Sequence, residues 1–227
     1  MEIPKKKDYR QRAHANPFND QNFEYPFSPS EMDWTKYFVN GKSPEFLDIG
    51  CGYGSFLLTV ARKYPEKNIL GLEIRQKVVS YVQNKITAHR YASEEYGNAG
   101  AILTNALKFM PNFFLPNSIS KIFILFPDPH FKKKKKKARI VCKQMLDLFV
   151  YFMMEDGRLY IATDVNELYT HMVNELESHP MFKELKNKKE DDLYLDTFSM
   201  TDESRRAAVK TGSAFATIYE VKKESKY

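Results

Sequence analysis

Only two cysteines, Cys51 and Cys142, occur in 227 residues. Two are too few for a disulfide framework, and a reducing compartment, cytosol or nucleus, is the natural setting. No apolar run approaches the roughly 20 residues that span a bilayer. The opening stretch MEIPKKKDYRQRAHANPF carries charge but no apolar h-region, so no secretory signal is expected. There is no internal repeat and no long Gly/Ser linker. His14 and His130 have no clustered cysteines or carboxylates around them, which argues against a metal pair. What is left suits one domain with a sizeable core and a short appendage.

Charge of one sign is abundant, but only locally. The formal net charge is +6. Between His130 and Lys143 stand Lys132 to Lys137, Arg139 and Lys143, eight bases with no acid among them. Without those eight, 27 of the 35 bases face 29 acids, a remainder of −2. A concentrated basic patch on a near-neutral body is the footprint expected for a polyphosphate partner. A solvated lysine run or a nuclear-import signal has the same composition.

Residues 1–40 are rich in Pro, Asn and aromatics without a period, and are expected to form an extended arm. From residue 41 a single domain is expected. EFLDIG reads as a strand running into the loop GCGYGS, and FLLTVARKY as the helix after it. NILGLEI, AGAILT, SKIFILF and GRLYIAT read as further strands. RQKVVSYVQNKITAHRYASEEY, ARIVCKQMLDLFVYFM and DVNELYTHMVNELESH read as helices, the last with Asp164 as its N-cap. AFATIYEV alternates like a final edge strand. Strands alternating with helices predict an α/β fold, a doubly wound, mostly parallel sheet covered on both faces.

Two motifs carry chemistry. In DIGCGYGS, Gly50, Gly52 and Gly54 let the backbone turn sharply and come close to a ligand. Glu73 ends the second strand a little over 20 positions on, the spacing at which a carboxylate takes ribose hydroxyls. Dinucleotides and S-adenosylmethionine both fit. The loop reads G-x-G-x-G with Asp48 just before it, and that carboxylate would repel a pyrophosphate yet suits a cationic methionyl end. S-adenosylmethionine is therefore favoured, and Cys51 reads as a small filler. The second motif is ILFPDPHF, where Pro127 and Pro129 restrict Asp128 to few conformations at the end of a strand. Ligands in such sheets sit outside the carboxyl ends of strands. Phe126 and Phe131 could stack on a base or belong to the core.

The stretches YRQRAHANP, MDW, FLDIGCGYG, LGLEIR, PNFF and FPDPHFK, with ARI and TDV after them, resemble the eukaryotic tRNA (guanine-N7-)-methyltransferases, catalytic subunits that work with a WD-repeat partner. The resemblance spreads over most of the chain and implies a Rossmann-like class I methyltransferase fold using S-adenosyl-L-methionine. It implies cofactor contacts at Gly50, Cys51, Gly52 and Gly54, at Glu73, Ile74 and Arg75, at Asn105 and Ala106 near the adenine, and at Leu125. Asp128 is the implied catalytic aspartate, with Thr201 and Glu203 of MTDES at the methyl-transfer site. The implied RNA contacts are Arg10, Arg12 and His14 of the arm, then His130, Lys132, Lys133, Lys134, Lys135, Lys136, Lys137 and Arg139. A nuclear location, with the cytoplasm in addition, is expected. The basic stretch departs from the family in being pure lysine with Ala138, not an aromatic, before Arg139. Residues 182–195 also follow the family poorly. Competing readings are an adenine-N6 methyltransferase, an NAD-dependent oxidoreductase and a non-catalytic RNA-binding subunit.

Overall fold

The computed structural model describes residues 2–12, 16–18, 23–131, 138–201 and 214–223. His14, Lys132 to Lys137 and Glu203 lie outside the described residues. Seven strands form a mostly parallel sheet, and the chain divides into two compact units, Met1–Phe113 and Phe114–Tyr227.

The first unit alternates β1 (Phe46–Ile49), α1 (Ser55–Lys63), β2 (Ile69–Glu73), α2 (Gln76–Ser93), β3 (Ala99–Leu103) and α3 (Ala106–Phe113). Its strands lie in the order β3-β2-β1 and are parallel, with Leu47 opposite Leu70 and Gly71 opposite Ala101. Every residue of β1 and β2 is buried, as expected of parallel strands covered on both faces. Helix α1 buries Phe56, Leu57, Val60 and Ala61 and ends on Arg62 and Lys63, cations that suit a helix C-terminus. Among its described residues the arm before β1 contains only short 3-10 turns, at Lys6–Tyr9, Pro29–Glu31 and Trp34–Lys36. Tyr9 packs edge-on against Tyr81 of α2, and Tyr25 stacks on Phe109 of α3 at 4.2 Å.

The second unit contains β4 (Ile119–Leu125), α4 (Lys143–Phe152), β5 (Met153–Thr163), α5 (Asn166–Glu177), β6 (Phe182–Glu184), α6 (Asp196–Ser199) and β7 (Phe215–Val221). β5 is parallel to β4 and antiparallel to β7, and β7 is antiparallel to β6. Three expectations need correction here. β7 is not the edge strand, because the three-residue β6 pairs along its other side; so short a strand leaves no alternation to read. Asp164 does not cap α5. The cap is Val165, without a side-chain bond of its own, and its N–H is taken by the Thr163 hydroxyl at 3.2 Å. Helix α4 begins at Lys143 rather than Ala138.

A buried ionic cluster ties the poorly matching 182–195 region to this unit. The Asp191 side chain, 1% exposed, accepts from Arg158 at 2.6 Å, from the Tyr160 hydroxyl at 2.8 Å and from Leu193 N–H at 3.0 Å. Lys121 donates to the Tyr160 hydroxyl at 2.8 Å and lies 4.0 Å from Asp191. Burial pushes the Lys121 ammonium below its ordinary pKa, the opposing pull of Asp191 notwithstanding.

Candidate functional site

In the first unit the turn after β1 has the shape its glycines predict. Gly50, Gly52 and Gly54 have φ of +79°, +53° and +74°, a region closed to most side-chain-bearing residues. Gly50 N–H donates to Leu72 O at 2.7 Å, anchoring the turn to β2. Cys51 faces inward onto Gly71, where an added Cβ would stand 2.6 Å from the Cys51 sulfur. Burial first, then the neighbouring Asp48 and Glu73 carboxylates, pushes the Cys51 thiol well up. A thiol held in its neutral form is a poor nucleophile, which agrees with the filler role. Asp48, 3% exposed, sits at the end of β1 just ahead of the turn.

Glu73 closes β2 and is 4% exposed. Its Oε1 accepts from the N–H groups of Ile74 (2.8 Å) and Arg75 (2.9 Å) and from Arg75 Nε (3.0 Å). Its Oε2 accepts from Arg75 Nη2 at 2.8 Å. One oxygen is thus crowded with three donors while the other carries one, so Oε2 is the atom able to take a further hydroxyl. Arg75 acts here as the partner that orients this carboxylate, a contact that spacing alone did not reveal.

Asn105 is 3% exposed. Its Oδ1 accepts from Leu107 N–H at 3.1 Å in the first turn of α3, and its Nδ2 donates to Pro17 O of the arm at 2.7 Å. The arm is pinned at further points. Tyr53 of the glycine turn donates to Tyr9 O at 3.4 Å, with Lys6 over its ring at 4.4 Å, and Gln11 accepts from Lys77 N–H at 3.0 Å at the start of α2. It therefore packs beside the glycine turn and Asn105, while Arg10 and Arg12 remain exposed. A cavity of about 450 Å³ lined by Val39, Arg62, Tyr96 and Asn98 lies by the N-terminal ends of β2 and β3, away from the glycine turn.

In the second unit β4 ends at Leu125, 8% exposed. Phe126 and His130, on either side of Pro127-Asp128-Pro129, both adopt left-handed backbone, with φ of +52° and +46°. Two non-glycine residues in that region within five positions mark a backbone held by its surroundings. Phe126 N–H donates to Ala162 O at 2.7 Å, and Asp128 and His130 are half-buried. Phe131 is 60% exposed, whereas Thr201 is buried. Arg139 departs from the expectation of a surface RNA contact. It is 4% exposed, its Nε donates to Pro129 O at 3.0 Å and its Nη2 pairs with Glu167 Oε1 at 3.1 Å. Ala138, standing where the family has an aromatic, is also buried. Among the described residues no group of three or more His, Cys, Asp or Glu could hold a metal ion.

A family model described as a putative methyltransferase matches residues 42–217. The tRNA (guanine-N(7)-)-methyltransferase of Caenorhabditis elegans is 42% identical over 225 residues, covering 96% of this chain and 88% of that protein. The enzyme of that name from Brugia malayi is 43% identical over 224 residues, covering 96% and 87%. That of Yarrowia lipolytica is 41% identical over 235 residues, covering 100% and 80%. Among solved structures the 16S rRNA methyltransferase KamB has a TM-score of 0.55 at 15% identity, covering 88% of this chain and 95% of that one. A likeness at that identity speaks to the fold alone.

Proposed function

The chain belongs to the tRNA (guanine-N(7)-)-methyltransferase family, and we propose that it methylates N7 of a guanine in the variable loop of tRNA, using S-adenosylmethionine. The relatives supply the substrate class. In the structure the reading is best supported by one observation, the Asp128 carboxylate held between two prolines and two left-handed residues at the end of β4. The adenine-N6 alternative draws on the same Asp-Pro element, whereas the relatives described above carry the guanine-N7 name.

The residues present fit the cofactor. The left-handed glycine turn offers backbone to a ligand, the buried Asp48 disfavours a pyrophosphate, and Glu73 Oε2 has room for a ribose hydroxyl. Gly50, Cys51, Gly52 and Gly54 would hold the methionyl end, with Glu73, Ile74 and Arg75 at the ribose and Asn105 and Ala106 at the adenine; Leu125 is added to this set by the family resemblance alone. When bound, S-adenosylmethionine supplies an electrophilic methyl group on a sulfonium.

Guanine N7 carries a free in-plane lone pair, so its attack needs no prior deprotonation and the site needs no strong general base. The protein's work is alignment and exclusion of water. Asp128 accepts from the guanine N1–H and N2 amino groups, a donor pair adenine lacks. Its charge also favours the positive charge that develops on the methylated ring. Thr201 and Glu203 belong to the same reading. The lysine run with Arg10, Arg12, His14 and His130 would hold phosphates, which position RNA without specifying a base. A WD-repeat subunit as partner and a nuclear location are supported by the family resemblance, the latter also by the lysine run.

The test is transfer of labelled methyl to unmodified tRNA transcripts, with and without a WD-repeat subunit, followed by cleavage specific for 7-methylguanine. Label at that cleavage site is expected. Label on adenine, or cofactor binding with no transfer in either condition, would overturn the assignment.

A further inference from the structure

The lysine run and Asp128 are neighbours in sequence, and a hydrogen bond joins Arg139, after the run, to Pro129, before it. Arg139, the first base after the run, turns inward and donates to the carbonyl of Pro129, the residue immediately after Asp128. Its remaining arm reaches Glu167 in the first turn of α5, where a carboxylate is also favoured by the helix dipole. A buried guanidinium therefore holds the backbone just after Asp128. The backbone around Asp128 is strained, with His130 and Phe126 both at positive φ. Such conformations persist only where contacts over-determine them. On one side that contact is Phe126 N–H to Ala162 O; on the other it is Arg139.

We infer that Arg139 is a positioning residue for the methyl transfer: it fixes the Pro127-Asp128-Pro129 turn. This rests on the reading of Asp128 given above. Lysine could not substitute, because an ammonium is a point charge without the fork that reaches a carbonyl and a carboxylate at once. Arg139 is buried, whereas a phosphate contact has to be reachable by the RNA.

The discriminating experiment compares wild type, Arg139→Lys, Arg139→Met, Glu167→Gln and Asp128→Asn. Single-turnover methyl transfer is measured at saturating tRNA and cofactor, with tRNA and S-adenosylhomocysteine affinities measured at several salt concentrations. Both Arg139 variants are expected to lose roughly 10- to 100-fold in turnover, the range that small misplacements of a reacting group produce. Their tRNA affinity, its salt slope and their cofactor affinity should stay within about twofold of wild type. Glu167→Gln leaves the bond to Pro129 in place and should lose only a few-fold; Glu167 is 56% exposed, so this variant folds even if Arg139→Met does not. Weaker tRNA binding with a salt slope lowered by about one and unchanged turnover would make Arg139 a phosphate contact and overturn the inference. Unchanged turnover with unchanged affinity would overturn it too. Full turnover by Asp128→Asn would instead overturn the reading on which it rests.

Discussion

Replacing Glu73 by glutamine changes one atom and has a consequence that the hydrogen bonds fix. The amide oxygen must take the Oε1 position, because two backbone N–H groups, of Ile74 and Arg75, point there from 2.8 and 2.9 Å. The amide nitrogen then stands where Oε2 was, 2.8 Å from Arg75 Nη2, donor against donor. Nothing is left there to accept from a ribose hydroxyl. A hydrogen bond to a charged group contributes about 1.5–3 kcal/mol, so S-adenosylhomocysteine should bind roughly 10- to 100-fold more weakly. Calorimetric titration measures this directly, and an analogue lacking the ribose 2′ and 3′ hydroxyls isolates the cause. Wild type should bind the analogue about as weakly as Glu73→Gln binds the parent, and the substitution should scarcely change affinity for the analogue. An equal further loss on the analogue would refute the ribose role.

Gly71→Ala places a methyl 2.6 Å from the Cys51 sulfur; overpacking of this kind costs about 1–3 kcal/mol, roughly 2–12 °C in melting temperature for a chain of this size, and adding Cys51→Ala should recover part of it. Asp191→Ala leaves Lys121 and Arg158 without their shared carboxylate. Breaking a buried pair costs about 3–5 kcal/mol, and with Arg158 34% exposed the lower end is expected in denaturant unfolding; a loss under about 1 kcal/mol would contradict it. Lys188, then Thr217, hold the Glu184 carboxyl below its ordinary value of 4.5. Its stabilisation is therefore complete above that value and lost as the pH falls through the lowered one. Melting temperatures of wild type and Glu184→Gln should thus differ near neutrality and converge in acid, and a gap that does not narrow on acidification would contradict the pairing.

The β-α alternation was legible because β1, β2 and β4 are near-continuous apolar runs and α1 and α2 carry their apolar residues at helical spacing. Helix α3 was not: eight residues with Pro111 inside offer too few turns to show a period. The glycine turn was legible since only glycine tolerates three positive φ values so close together. The left-handed Phe126 and His130 were hidden, because neither residue type announces that conformation. Arg139 was hidden for another reason. Beside six lysines it reads as one more surface charge, and its inward fold onto Pro129 and Glu167 shows only in three dimensions. The arm's lack of a period was visible, but its docking through Tyr9, Gln11 and Pro17 depends on partners far away in sequence.

The proposed chemistry stands on Asp128. Asp128→Asn keeps the shape of the side chain and removes its charge and one acceptor. Single-turnover transfer to tRNA, scored as 7-methylguanine, should fall by roughly 10²- to 10³-fold, the loss typical of removing one group that stabilises developing charge. S-adenosylhomocysteine affinity should be unchanged. Undiminished formation of 7-methylguanine by the variant would contradict the assignment of Asp128 as the residue that selects guanine and favours its methylation.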